Sequence, residues 1–289
     1  MDLFIALILQ IVYGVANLVL ISIGLAIIFG MMRVINLAHG EFIMLGGYTV
    51  VIATNNGVNL WFAMLILAPL VVGIIGVVVE RLLIRFLYGR MVDTLLATWG
   101  LSLLLIGLVT TIFGAQTKTT ISAPIGAIQI GDYTTSGYEL FLIFVTALLS
   151  FAIYLLLRFT KLGLVARGTM QAPDMAAALG VSTSRVYAIT FGLGAAVSGL
   201  VGGLLAPITG VLPTIGAVYI AKAFITVVSG GTAILAGTIS ASALLGVING
   251  VVSYVTGPTM GEVALLVAAI ILLRLLPQGI TGRFFRKSL

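Results

Sequence analysis

Cysteine is absent from this chain of 289 residues, and histidine occurs once. Without cysteine there can be no disulfide, no thiol nucleophile and no cysteine-ligated metal site. Charge is also scarce, because 8% of the residues are charged, against about 25% in an average soluble domain, while 61% are hydrophobic and the mean hydropathy is +1.28. Neither a GxxxxGK[ST] phosphate loop nor an HExxH motif occurs. These absences argue against a soluble enzyme and indicate an integral membrane protein.

Long apolar runs account for this composition. At about 20 residues for each membrane-spanning helix, the sequence predicts an all-α polytopic bundle of about eight or nine spans, some broken at glycine, in a single transmembrane domain covering 1–289. The first run lacks a basic flank and is too long for a signal peptide, so we expect a span there. The predicted spans are 3–29, 41–56, 61–80, 93–114, 139–157, 186–207, a broken segment 218–254, and 261–276.

The basic residues predict the orientation. They cluster in 81–90, in 158–185 and around the end of the last span, and these groups share one side if the 218–254 segment enters, breaks and returns. Of 14 Lys and Arg residues, all but Lys118 and Lys222 then lie on that side, which is cytoplasmic by the positive-inside rule. We therefore expect a cytoplasmic C-terminus. The net charge of +6 then reflects cytoplasmic loops and not nucleic-acid binding.

Two long polar loops remain between the predicted spans. The loop 115–138 is rich in Thr, Ser, Gly and Pro and is predicted to be external, with a short hairpin at 128–133. The loop 158–185 is predicted to be cytoplasmic. In it, Pro173 suits a first helical turn, Asp174 suits the positive end of the helix dipole, and Gly180 suits a helix end. A short helix is expected there, lying on the lipid surface or docking into a groove of a partner.

A polar cluster interrupts the apolar sequence between residues 24 and 50. Asn36, His39 and Glu41 lie there between two predicted spans. Ionisable groups in such positions usually face a bundle interior, a water-filled path or the membrane interface. Irregular backbone at membrane depth is tolerated only where protein buries it or it lines a cavity. We predict that these three residues belong to a substrate pathway; a short cytoplasmic turn marked by Arg33 is the alternative.

A second interruption lies in the segment 218–254. Ser229, Gly230 and Gly231 break a run that would otherwise span the membrane. Transporters with broken helices place such segments at the substrate path, whereas close helix packing through small residues is the other interpretation. We predict that these three residues form a second part of the pathway.

Several blocks of the sequence together resemble one family. They are INLAHGEFIMLGGY, YGRMVDTLLATWGLSLLL, RGTMQAPDMAAALGVSTSRVYAITFGLGAAVSGLVGGLLAP, AFITVVSGG and RLLPQGITGRF. The chain resembles the permease subunits of ATP-driven importers for branched-chain amino acids and urea. The resemblance implies a bacterial inner-membrane location, a second homologous permease subunit and an external solute-binding protein. It also implies two cytoplasmic ATPase subunits that bind ATP and Mg, so that this chain is no enzyme and holds no cofactor.

The resemblance also assigns a role to the cytoplasmic loop. The family's coupling segment reads Glu-Ala-Ala followed three residues later by Gly, and Asp174, Met175, Ala176 and Gly180 occupy those places here. It implies that Asp174, Ala176, Ala177 and Gly180 couple the chain to the ATPase. The chain departs from the pattern in two residues, and the usual downstream Ile-x-Leu-Pro is absent.

The solute and the energy source stay open at this point. YGRMVDTLLATWGLSLLL resembles the urea and short-amide branch slightly more than the branched-chain amino-acid branch.

A stand-alone ion-coupled secondary transporter is the main alternative function, because such carriers keep carboxylates in the membrane. The candidate carboxylates are Glu41, Glu80, Asp93 and Glu262, for which we expect interface placement or pairing with a neighbouring arginine. An intramembrane enzyme is disfavoured, since no span holds a spaced pair of carboxylates.

Overall fold

A computed structural model describes residues 2–116, 121–130, 133–231 and 233–284 of the chain. Lys118 lies outside this part. The elements are α1 (Asp2–Met32), α2 (His39–Asn55), α3 (Leu60–Leu82), α4 (Met91–Phe113), β1 (Ala127–Ile130), β2 (Tyr133–Ser136), α5 (Gly137–Phe159), α6 (Lys161–Gln171), α7 (Pro173–Ala178), α8 (Thr183–Thr209), α9 (Ile215–Gly230), α10 (Ile234–Thr256), α11 (Pro258–Leu275) and α12 (Gly279–Phe284).

The predicted all-α membrane bundle is confirmed. Seven helical stretches within the described residues are long and apolar enough to cross a membrane. Six of them belong to α1, α3, α4, α5, α8 and α10, and the seventh covers α11 and the beginning of α12. Helices α2 and α9 are shorter, at 17 and 16 residues. The predicted count of eight or nine spans is therefore approximate. The broken segment separates into two helices, because α9 ends at Gly230 and α10 begins at Ile234.

The chain divides into two compact units. Unit 1 comprises Met1–Ile23, Ala123–Phe151 and Lys222–Leu289, and unit 2 comprises Gly24–Ser122 and Ala152–Ala221. In unit 2, α8 packs against both α2 and α3. Glycines make this possible, since a Cβ on Gly46 would collide with the backbone of Gly199, and one on Gly202 would collide with the backbone of Ile43. Small residues thus let helix backbones approach closely, as membrane interiors favour.

A proline shapes α3 within the same unit. Pro69 has no N–H to donate to the preceding turn, and the helix widens into a π-helical turn over Ala63–Leu67 just before it. Ala63, Met64 and Ala68 are buried there in a core shared with Val50 of α2. The helix therefore stays continuous and keeps its apolar side against its neighbours.

In unit 1, α10 packs against α11, and two glycines of α10 contact the N-terminal half of α1. A Cβ on Gly246 would lie 2.7 Å from a side-chain carbon of Val15, and one on Gly250 would lie 2.8 Å from Ile11. Strands β1 and β2 pair antiparallel, from Ala127 opposite Ser136 to Ile130 opposite Tyr133. The predicted hairpin is therefore present in the 115–138 loop, and its turn at 131–132 lies outside the described residues.

Candidate functional site

The first polar cluster begins in the irregular segment between α1 and α2, in unit 2. Helix α1 ends at Met32, and Arg33 takes a left-handed backbone conformation with φ of 51°. Asn36 is fully buried, and its side-chain oxygen accepts a hydrogen bond from the N–H of Ala38 at 3.1 Å. Such an Asx turn replaces a backbone turn and leads the chain into α2.

A threonine of α4 holds the same segment from the other side. The N–H of Leu37 donates to the hydroxyl oxygen of Thr98 at 3.1 Å, and that hydroxyl lies 3.3 Å from the carbonyl oxygen of Ile35. Thr98 itself is fully buried. Buried irregular backbone needs hydrogen-bond partners. The Thr98 hydroxyl supplies such a partner, so the non-helical segment can lie inside the bundle.

His39 opens α2 and is fully buried. Its Nδ1 lies 3.2 Å from the hydroxyl oxygen of Ser198 in α8, and this hydroxyl donates to the carbonyl oxygen of Gly194 at 2.8 Å. The imidazole edge also lies close to Gly24 of α1, since a Cβ built there would be 3.2 Å from its Cε1. The single histidine therefore joins α2 to α8 beside a small-residue stretch of α1.

Glu41 lies in the first turn of α2 and is also fully buried. Neither carboxylate oxygen has a hydrogen bond of normal geometry within the described residues, although the Ser102 hydroxyl of α4 lies beside it. The two ion pairs found among those residues are Arg90 with Asp93 and Lys222 with Glu262, so Glu41 belongs to neither. A buried carboxylate with no protein cation is costly and is seldom retained without a role.

A contact between two glycines closes the site around Glu41. Gly40 of α2 and Gly216 in the first turn of α9 meet backbone to backbone, so that a Cβ on Gly40 would collide with the carbonyl of Gly216. A Cβ on Gly216 would lie 2.7 Å from Oε1 of Glu41. The carboxylate therefore lies at the N-terminal ends of two helices, α2 and α9, where helix dipoles favour a negative charge.

The second predicted pathway segment lies in unit 1. Helix α9 ends at Gly230, and Gly231 has a φ of 86°, which suits glycine. Thr281 of α12 secures the break, because its hydroxyl donates to the carbonyl of Gly230 at 2.6 Å and accepts from the N–H of Ala233 at 3.2 Å. Ser229 is fully buried, and its hydroxyl has no hydrogen bond within the described residues.

The short helix predicted in the loop 158–185 is present as α7. Gly180 has a φ of 84°; its N–H donates to the carbonyl of Ala177, and the N–H of Val181 donates to that of Ala176. This pair of bonds is a Schellman motif, which ends a helix at glycine. Ala176 is buried within the chain, whereas Asp174 and Ala177 are exposed.

Between α3 and α4, the structure shows a hydrogen bond that the sequence did not predict. Glu80 is fully buried at the end of α3 and accepts a hydrogen bond from the Tyr88 hydroxyl. The Tyr88 ring packs against Tyr187, with centroids 4.7 Å apart. Burial and the bond to Glu80 raise the pKa of the Tyr88 hydroxyl, so it remains a donor at physiological pH. The expected pairing of Glu80 with Arg81 is thus replaced by a tyrosine contact.

The structure therefore brings Asn36, His39 and Glu41 together on one buried segment of unit 2. Ser229, Gly230 and Gly231 belong to unit 1, and the residues of α7 form a separate exposed element. The partners Thr98, Ser102 and Ser198 were not predicted, because isolated hydroxyl residues in apolar helices give no distinctive sequence signal. Among the described residues, no three His, Asp or Glu side chains lie close enough to hold a metal ion.

Seven helical stretches among the described residues are long and apolar enough to cross a membrane, and together with the buried polar segment they indicate a polytopic membrane protein. The family model described as "Branched-chain amino acid transport system / permease component" matches residues 7–276. The chain therefore belongs to this family of transport permeases.

Individual relatives agree with this assignment. The chain is 29% identical, over 281 residues and 91% of each sequence, to the high-affinity branched-chain amino acid transport system permease protein LivH of Escherichia coli strain K12. It is 30% identical over 280 residues, again 91% of each, to the corresponding permease protein BraD of Pseudomonas aeruginosa. The probable LivH of Methanocaldococcus jannaschii is 26% identical over 290 residues, which is 93% of this chain and 90% of that one. No solved structure matches the chain significantly.

Proposed function

We propose that this chain is one of two membrane subunits of an ATP-driven importer, and that solute passes the segment holding Asn36, His39 and Glu41. The observation that carries the proposal is the carboxylate of Glu41, which is fully buried, has no protein cation and lies in a permease-family bundle. Polar groups of this kind inside a membrane bundle usually mark a solute or ion path. The broken helix at Ser229, Gly230 and Gly231 is the second proposed part of the path.

The energy enters through partner subunits in this proposal. Two cytoplasmic ATPase subunits bind ATP and Mg, an external binding protein delivers the solute, and this chain performs no hydrolysis. Helix α7 faces the ATPase, with the C-terminus on the same side of a bacterial inner membrane. What supports this is its exposed surface: Met175 and Leu179 are 63% and 78% exposed. Apolar side chains so exposed on a helix of six residues and at the residue that follows it suit a docking partner.

The solute proposed for this chain is a branched-chain amino acid. The support comes from the relatives, whose names all specify that class. Urea and short amides form the second class to test, because the sequence of α4 and the segment before it resembles that branch.

The experiment is uptake by liposomes that hold the assembled complex, with binding protein outside and ATP inside. Labelled leucine, isoleucine, valine, urea and a short amide are compared at equal concentrations. The proposal predicts uptake of the branched-chain amino acids that requires internal ATP and continues after the proton and sodium gradients are dissipated. Uptake that follows an imposed ion gradient without ATP would instead indicate a secondary transporter.

A further inference from the structure

Glu41 is the charged side chain whose surroundings call for a ligand. It is fully buried, and its two oxygens have no hydrogen bond of normal geometry to any described residue. The hydroxyl of Ser102 lies beside it and can accept as well as donate. On the face of α4 opposite Ser102, Leu104 is 55% exposed, as expected for a helix that turns its apolar side outward.

The backbone around Glu41 favours a carboxylate without neutralising it. Glu41 is in the first turn of α2, and Gly216 in the first turn of α9 lies against its Oε1. Partial positive charges at the two helix ends stabilise the ionised form. They offer no cation, so the carboxyl group is left without a charged partner in the described residues and suits a ligand that carries a positive group.

One side of the Glu41 site is closed by a seam, which is a contact between two glycine backbones with no side chain in it. Gly40 and Gly216 touch without any side chain between them, and any β-carbon at either place would collide with the opposite backbone or with Glu41. Opening this seam requires that the first turn of α9 moves away from α2, and no side chain lies between the two glycines to hold them together.

From this arrangement we infer that Glu41 recognises the ammonium group of the transported solute and so selects amine-bearing solutes over neutral amides and urea. The inference rests on the proposed function. Its chemistry is a charge-assisted hydrogen bond between ammonium and carboxylate, which is stronger and shorter than a neutral one. Urea and simple amides carry no cation, so they could not replace the missing partner of Glu41.

The test uses the assembled complex in liposomes with ATP inside and loaded binding protein outside, at a series of concentrations that reaches saturation. Glu41→Gln keeps the size of the side chain and removes its charge, whereas Glu41→Asp keeps the charge on a shorter stem. We expect Glu41→Gln to lower the maximal rate of leucine uptake about tenfold or more, since charged hydrogen bonds are worth roughly that factor. The concentration of loaded binding protein at half-maximal rate should not change. Glu41→Asp should retain more activity than Glu41→Gln.

A second measurement uses two small probes with the carbon skeleton of leucine. The first, 3-methylbutylamine, carries only the ammonium group, and 4-methylpentanoate carries only the carboxylate. The amine should inhibit uptake by the wild-type complex and by Glu41→Asp, while the acid should not; the residual uptake of Glu41→Gln should be insensitive to both. Binding of each probe to the isolated binding protein is measured separately, and the inhibition that it causes is subtracted from the observed inhibition of uptake. If Glu41→Gln fails to assemble, the probes on wild type and Glu41→Asp decide alone.

Three results would overturn the inference while leaving the importer proposal intact. These are leucine uptake by Glu41→Gln at the wild-type rate, equal inhibition by amine and acid, and inhibition of the Gln variant by the amine as strong as that of wild type. Absence of ATP-driven uptake by the wild-type complex would overturn the proposed function as well.

Discussion

Replacing Tyr88 by phenylalanine should destabilise the segment between α3 and α4. The Tyr88 hydroxyl donates the hydrogen bond that Glu80 accepts, and Glu80 is fully buried. Its second oxygen, Oε2, already has no hydrogen bond within the described residues. The substitution would therefore leave a buried carboxylate without its donor, which typically costs about 1.5–3 kcal/mol for a bond to a charged group.

The assay is reversible unfolding of the purified chain in mixed micelles with a rising fraction of denaturing detergent. Tyr187→Phe is the matched control, because Tyr187 packs on the same ring, at 4.7 Å, and the change removes the same atom. A Glu80→Leu background removes the acceptor, so Tyr88→Phe should cost much less there, as a double-mutant cycle would reveal. Equal effects of Tyr88→Phe and Tyr187→Phe, or no coupling in the cycle, would show that the bond to Glu80 does not stabilise this segment.

The pH dependence of this contact follows from the same geometry. Burial and Glu80 raise the pKa of Tyr88 above its ordinary value of 10.0. A group whose pKa is raised by folding contributes stability that is complete below its unfolded pKa and lost as pH rises above it. The difference in stability between wild type and Tyr88→Phe should therefore be constant from about pH 6 to 9 and shrink above about pH 10.

Three further predictions concern helix α7, the helix break at Gly231 and an ion pair. Ala177→Trp on α7 should leave binding-protein docking intact but abolish its stimulation of ATP hydrolysis, whereas unchanged stimulation and unchanged ATPase co-purification would mean that α7 lies on the lipid. Gly231→Leu should lower expression and transport, because a side chain there combines φ of 86° with a Cβ 2.6 Å from a backbone oxygen, whereas Gly107→Leu in open space on α4 should not. Lys222 and Glu262 form an ion pair at 2.5 Å, so reversing either charge should lower the stability of the complex and reversing both should restore part of it. Equal stability of the two single variants and the double variant would show that the pair is unimportant.

The parts of this molecule that the sequence predicts are those with local causes. Helix α7 begins at Pro173 and its last turn is closed by Gly180, since fixed backbone angles and a left-handed glycine act within a few residues. The break after Gly230 follows from local chemistry in the same way. The buried position of Glu41 was one of the alternatives that a polar cluster between two spans left open.

The partners of these residues could not be predicted, because they come from distant parts of the chain. Ser198 meets His39 across 159 residues, and Thr98 meets Leu37 across 61. Nothing in the run GLGAAVSGL marks its serine as a contact of the single histidine. The bond between Glu80 and Tyr88 spans only eight residues but depends on how the 3₁₀ turn at Ile84–Leu87 redirects the chain.

Cysteine accessibility measures whether the segment around Glu41 lies on the solute path. Because the chain has no cysteine of its own, Ser102→Cys introduces a single thiol beside Glu41 at little cost in volume, and Leu104→Cys places one on the exposed apolar face of the same helix. Both variants are assembled with cysteine-free partners and treated with a charged, membrane-impermeant thiol reagent. We predict that Cys at 102 reacts during ATP turnover with loaded binding protein and that the reaction blocks uptake, while Cys at 104 remains unreactive. Equal labelling of the two positions, or no labelling at 102 under turnover, would show that this segment lies off the solute path.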